Sequence, residues 1–317
     1  MNVRLGIDLG GSFIKAGVLS SANRVLHRVE VASGVKDGAQ AVSDRLNQSL
    51  GLLLDFCHKK KYKPLSLGIG SPGTISQPMG LVTDASPNIA DWRGTVLTKL
   101  FGRMEFPVFA DNDANCAALA EYLVGLNCRY KDMVFITIGT GIGGGLIIDG
   151  RLHRGTDFAA AEIGHVIIKH GGKLCKCGRR GCLEAYASVP NLLRRARQLG
   201  KSHGLRMAGG LGAKELFGLY KRGNKIARKA ILENAEYIGV GLGGLANMLN
   251  MQAIVIGGGF SGAGGRYIDL IRNSVEKHSF AAVHKNLKIL RAKLGNDAGF
   301  MGAALLPKVK IDGKING

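Results

Sequence analysis

His165, Cys175, Cys177 and Cys182 are spaced H-x9-C-x-C-x4-C, with Gly178 and Gly181 available to turn the chain between them. Three thiolates and one imidazole complete a tetrahedral donor set with no open position, which is the make-up of a structural zinc site. Redox-active or free thiols are the competing reading of the same cysteines. A histidine that binds metal through one ring nitrogen leaves the other for a nearby polar partner. Glu162 stands just before His165 and Glu184 just after Cys182, so the loop at about 165–184 gathers two carboxylates and an imidazole in one place.

Three glycine loops could approach an anion: Asp8 to Lys15 (DLGGSFIK), Gly139 to Gly145 (GTGIGGG) and Gly257-Gly258-Gly259. Glycine removes the side chain, so backbone N–H groups can converge on phosphate oxygens. None of the loops has the GxxxxGK[ST] form, and the G-x-G-x-G run from Gly139 to Gly143 is not followed by the helix of a βαβ unit. Taken singly, each loop is more often a tight hairpin than a phosphate cradle. Three of them, each following an apolar strand, favour the cradle. Asp8 falls at a strand end, where a carboxylate can hold a divalent ion or its water shell, or can cap the turn.

Groups of this kind need strands that end in loops. Residues 3–9, 13–19 and 25–31 read as three strands around a Gly10-Gly11 turn. Ala39 to Lys60 carries Ala41, Val42, Leu46, Leu50, Leu53, Leu54 and Cys57 at helical spacing. Strands follow at 65–70, before Ser71-Pro72-Gly73-Thr74, and at 107–110, before Asp111-Asn112-Asp113 and an alanine-rich helix over 114–122. A second round begins at 132. Ile7-Asp8-Leu9-Gly10 aligns with Ile136-Thr137-Ile138-Gly139 and, at the same offset, Gly17-Val18-Leu19 with Leu146-Ile147-Ile148. The pattern predicts a duplicated α/β architecture with a cleft between the halves. Helices are expected at 189–199, 225–249, 265–277 and 297–306, a strand at 253–256, and a frayed tail from Lys308 to Gly317.

At 317 residues the chain is long enough for two domains and needs no disulfides to hold a core. No apolar run resembles a membrane span, because the charge-free stretch from Tyr237 to Gly265 is broken by glycines and by Asn247, Asn250 and Gln252. No secretory leader is evident, and a cysteine cluster without one points to a cytoplasmic metal site. The net charge of +20 gathers at Lys59 to Lys63, between Lys169 and Arg206, and from Lys221 to Lys229. A single Trp and few other aromatics leave no platform for stacking single-stranded bases. The charge is read as solvated faces and attraction of phosphorylated substrates, with no specific nucleic acid and no membrane as partner.

The D-x-G-G-[ST]-x-x-K opening at Asp8 to Lys15, A-D-N-D-A-N at Ala110 to Asn115, I-G-T-G-I-G-G-G at Ile138 to Gly145, E-I-G-H at Glu162 to His165 and C-x-C-G-x-x-G-C-L-E at Cys175 to Glu184 together resemble the ROK family of sugar kinases and sugar-responsive repressors. The resemblance runs from Leu5 to about Leu306. It implies two duplicated actin-like (ribonuclease H-like) domains flanking a central cleft, with ATP, Mg2+ and structural Zn2+ as cofactors. By position it implies Asp113 as catalytic base. Asn112, Glu162, His165 and Glu184 would bond sugar hydroxyls, with Ser71, Gly73 and Asn88 lining the same pocket. Gly10, Gly11, Ser12 and Lys15 would face the transferred phosphate, with Gly139, Thr140, Gly141 and Gly143 close by. Gly257, Gly258 and Gly259 would border the adenosine. A helix dipole at Asp113 favours the ionised base, although an N-cap would also explain an Asp there.

The expectation is an ATP-dependent hexose kinase acting on O6 of glucose, a homodimer, with a small domain over 1–110 joined by 297–317 and a large domain over 111–296. An N-acetylmannosamine or other hexose kinase is the alternative, and polyphosphate an alternative donor. One departure bears on the sugar: glucose kinases of the family often have Gly where this chain has Ala161. The His-Pro-Glu form of fructokinase-like members is absent. A sugar-sensing repressor is disfavoured, since the residues ahead of Asp8 are too few for a helix-turn-helix.

Overall fold

The computed structural model describes residues 1–84, 89–202, 211–259 and 264–316. Its elements run β1 (Asn2–Leu9), β2 (Phe13–Ser20), β3 (Val25–Ala32), α1 (Ala39–Lys60), β4 (Lys63–Ser71), β5 (Thr74–Ser76), β6 (Leu81–Asp84), β7 (Val108–Asn112), α2 (Asp113–Ala120), β8 (Met133–Ile138), β9 (Ile142–Ile148), β10 (Arg151–His153), α3 (Glu184–Ala187), α4 (Val189–Ser202), α5 (Ala213–Lys221), α6 (Lys225–Leu249), β11 (Ala253–Gly258), α7 (Gly265–Lys277), α8 (Ala281–His284), β12 (Lys288–Arg291) and α9 (Ala298–Leu305). Among the described residues no helix is long and apolar enough to cross a membrane.

Two five-stranded sheets share one plan, β3-β2-β1-β4-β7 and β10-β9-β8-β11-β12. In each, a strand of the first hairpin continues into parallel pairings, β1 with β4 and β4 with β7, then β8 with β11 and β11 with β12. The duplication expected from the glycine-hairpin repeat is therefore present in the topology.

The chain divides into two compact units, Met1–Asp132 with Gly145–Ala161 and Lys293–Gly317, and Met133–Gly144 with Glu162–Ala292. The first unit is larger than the expected 1–110 plus 297–317. Its extra residues are held by close backbone packing: α2 lies so near α9 that a Cβ on Gly302 would overlap the Cys116 carbonyl. On the other side of α9, Gly68 of β4 makes the same kind of approach to Ala303. The helix α1 covers the sheet with Val42, Leu46, Leu50, Leu53 and Cys57, all buried on the face its periodicity marked.

The segment after Lys308 is not frayed. Val309 bridges Ile315, Arg151 bridges Lys314, and the Leu152 N–H donates to the Gly313 carbonyl at 3.0 Å. The free edge of the short strand β10 needs a backbone partner, and this segment supplies it.

Candidate functional site

In the first unit the strand ends are level. Asp8 of β1 pairs in register with Lys15 of β2 and with Gly70 of β4, and Gly70 pairs with Asp111 of β7. The bare Cα of Gly70 lies between Asp8 and the start of α2: a Cβ there would lie 3.6 Å from Asp8 Oδ1 and 3.4 Å from the Asp113 Cα. Asp8 packs on its far side against Gly299 at the start of α9. Burial, then the Asp113 charge, push the Asp8 carboxyl up to about 7, against the pull of Lys15. Burial also raises Asp113, and its hydrogen bond from the Ala114 N–H at 2.8 Å pulls it back. The helix N-terminus thus opposes a desolvation that the expectation of a simply ionised Asp113 left out.

Capping falls to Asn112, whose Oδ1 accepts from the N–H groups of Ala114 at 2.9 Å and Asn115 at 3.1 Å. Asp113 is the first helical residue and shares only the Ala114 N–H with that cap. The Asn112 Nδ2 donates to the Gly73 carbonyl at 3.0 Å, so much of this side chain's bonding capacity is spent inside the protein. Asp111 is buried, and its Oδ2 accepts from Arg154 Nε at 2.7 Å. Its Oδ1 accepts from the Asn112 N–H at 2.8 Å and Asn115 Nδ2 at 3.1 Å.

Ser71 is fully buried and accepts from Trp92 Nε1 at 3.0 Å, which makes it a support of the loop. Gly10 closes the β1–β2 turn through its N–H to the Phe13 carbonyl at 3.1 Å, while Gly11 and Ser12 are exposed at the tip. Asn88 lies outside the described residues.

In the second unit the two remaining glycine loops leave adjacent strand ends, since Gly258 of β11 pairs with Ile138 of β8. Gly139, Thr140, Gly141 and Gly143 therefore lie by the strand that ends in Gly257 and Gly258, with Gly259 just beyond it. The Gly139 carbonyl accepts from the Val189 N–H at the head of α4, 3.0 Å away. Glu184 reaches this loop: its Oε2 accepts from the Ile142 N–H at 2.8 Å and sits where a Cβ of Gly141 would be. A residue expected on the sugar thus also braces the loop expected at the phosphates.

The donor atoms of His165, Cys175, Cys177 and Cys182 all lie within 4.8 Å of one another. Cys177 Sγ is 3.7 Å from Cys182 Sγ, and Cys175 Sγ is 3.8 Å from His165 Nδ1. A tetrahedral zinc with bonds near 2.3 Å spaces its sulfurs about 3.8 Å apart, so the donor set fits that ion. Burial and the neighbouring thiols push Cys182 up to about 12. At Cys177 burial is outweighed by the Arg179 backbone N–H and the other thiols, and the thiol falls below its ordinary value. With Nδ1 turned to the sulfurs, His165 Nε2 points toward Glu162 Oε2 at 3.9 Å, and Glu162 is largely exposed.

Sequence reasoning missed Arg154 and Trp92. Arg154 follows a three-residue strand, and nothing local marks it as the partner of a buried Asp111. Trp92 could have been suspected as the lone Trp of the chain, a large ring with one N–H to satisfy.

Two sheets of one plan, with carboxylates and glycine loops at the strand ends, define an actin-like α/β fold. The chain matches the ROK family over residues 4–310 and belongs to it. It is 35% identical to a glucokinase of Halalkalibacterium halodurans, over 96% of this chain and 94% of that one. It is 33% identical to a glucokinase of Thermotoga maritima, over 98% of each chain. Among solved structures it resembles a ROK family glucokinase from Streptomyces griseus in complex with glucose and AMPPNP, with a TM-score of 0.85 and 34% identity over 96% of this chain and 98% of that one.

Proposed function

We propose that this chain is an ATP-dependent hexose kinase that phosphorylates glucose on O6. The observation that carries the reading is that Asp8 and Asp113 both adjoin the bare Gly70 at the strand ends, near enough for the Asp113 charge to act on Asp8. Likeness to a glucokinase whose structure holds glucose and AMPPNP supports it. In the reaction, the sugar hydroxyl attacks the γ-phosphorus, the bond to the β,γ-bridging oxygen breaks, and Asp113 takes the hydroxyl proton. The products are a hexose 6-phosphate and ADP.

Asp8, beside Lys15, would hold Mg2+ through its carboxylate or the ion's water shell, and that ion supplies charge neutralisation on the phosphates. His165, Cys175, Cys177 and Cys182 would hold a structural zinc that fixes the loop carrying Glu162 and Glu184. Those two carboxylates, with His165 and Asn112, would bond sugar hydroxyls, Ser71, Gly73 and Asn88 would line the same pocket, and Gly10, Gly11 and Ser12 would face the transferred phosphate. The loop Gly139 to Gly143 would lie by the phosphates and Gly257 to Gly259 by the adenosine. The reading carries with it a homodimer, a cytoplasmic place in glycolysis, and no specific nucleic-acid partner.

The test is a coupled assay over glucose, mannose, fructose, N-acetylglucosamine and N-acetylmannosamine, each with ATP and with polyphosphate. Glucose with ATP should give the highest kcat/KM. Absence of turnover for every pair would overturn the kinase reading, and a different best sugar would overturn the glucose assignment alone.

A further inference from the structure

We infer that Arg154 is a positioning residue for the carboxylate of Asp113, and that the segment 309–316 helps to hold it in place. The inference rests on the kinase reading above.

Arg154 is 7% exposed and Asp111 1% exposed. A buried guanidinium is costly unless its N–H groups are met, and breaking such a pair leaves a stranded charge. Here Nε donates to Asp111 Oδ2 at 2.7 Å and one terminal nitrogen donates to the Lys310 carbonyl at 3.3 Å. That carbonyl is itself fixed in a turn, accepting from the Gly313 N–H at 2.9 Å while the Lys310 N–H donates to Lys314.

The other oxygen of Asp111 holds the Asn112 N–H and the Asn115 side chain. These residues flank Asp113, and Asn112 is also the cap of its helix. Arg154 therefore orients a carboxylate that orients both sides of the first turn of α2. A displacement of the base by about 1 Å can cost about 10²-fold in rate, so a support at one remove is enough to matter.

The test measures kcat and sugar KM for the wild type, Arg154→Met, Arg154→Lys and a chain cut after Lys308, with calorimetric sugar binding and circular dichroism alongside. Arg154→Met should lower kcat about 10- to 100-fold, the loss of one charged hydrogen bond, with sugar KM and Kd within about threefold. Arg154→Lys should restore part of the loss and give an intermediate kcat. The shortened chain should change kcat in the same direction as Arg154→Met, by less. Variants whose kcat per folded molecule matches the wild type, or that lose sugar affinity and kcat together, would overturn the inference, and if Arg154→Met does not fold, Arg154→Lys and the shortened chain decide it on kcat. An inactive wild type would instead overturn the kinase reading beneath it.

Discussion

The first unit crowds three carboxylates at its strand ends, and the second crowds three thiols in a loop. The carboxylates come with protein cations, Lys15 beside Asp8 and Arg154 on Asp111. The thiols have an imidazole beside them, and burial with the neighbouring thiols pushes the Cys182 thiol up. One cluster is balanced in part by the chain and keeps one carboxyl, Asp8 at about 7, poised to respond to a cation. The other has the donor set of a metal site. On the proposed reading, the site that must change its charge state is framed by side chains, and the site that must stay put is left for an ion to close.

The sharpest break of this contrast is Asp113→Asn. It keeps the shape and much of the hydrogen bonding but removes the proposed base, so kcat should fall about 10²- to 10⁴-fold. Sugar binding by calorimetry should stay within about tenfold, because Glu162, His165 and Glu184 remain. Near-normal turnover in Asp113→Asn beside an inactive Asp111→Asn would reverse the roles assigned to the two.

Removing the metal tests the thiol side. Chelation, or Cys177→Ser, should release one zinc per chain by elemental analysis, lower the melting temperature, and weaken sugar affinity more than ATP affinity. Full activity and stability in zinc-free protein would sink the structural role.

Glu162→Gln should raise sugar KM about tenfold or more with less effect on ATP, as one charged hydrogen bond is worth about 1.5–3 kcal/mol. Glu184→Gln should move both constants, since Glu184 also holds the Ile142 N–H. If Glu184→Gln leaves the ATP constant fixed, that bracing is dispensable.

A pH series reads the carboxylate side through stability. The folded Asp8 carboxyl titrates near 7, above its ordinary value of 3.8. Between those values the folded chain holds a proton that the unfolded chain has lost, so stability falls as pH rises through this window. Denaturation midpoints without divalent ions should show this slope in the wild type, and Asp8→Asn should flatten it. An equal slope in both would place the titration elsewhere.

The smallest expected effect concerns Ala161, which has a φ of 66°. A Cβ is strained in that left-handed region, so Ala161→Gly should stabilise the chain by about 0.5–1 kcal/mol after the added freedom of the unfolded state is counted. A loss of stability would show that the methyl group packs usefully.

The periodic parts of this fold were legible. The helices α1, α6 and α7 fall where apolar spacing put them, because each buries one stripe along its length. The carboxylates and the cysteine cluster were legible as chemistry, since their spacing is local. The Arg154 pairing, the strand-like pinning of 309–316 and the left-handed Ala161 were not. Each depends on a partner far along the chain or on a backbone angle, and neither leaves a period in the sequence. The role of Ser71 was hidden for the same reason, because Trp92 takes its hydroxyl.

The seating of α9 on the first sheet has a consequence for how the chain is made. The strands β1, β2 and β4 leave the ribosome early, but the helix that packs against Gly6, Gly17 and Gly68 ends only at Leu305. At about 5–20 residues per second the nascent chain holds that apolar sheet face open for roughly 10–50 s between the end of β4 and the end of α9. A sheet made early in this chain is thus among the last parts to finish folding, and until α9 arrives its apolar face stays uncovered.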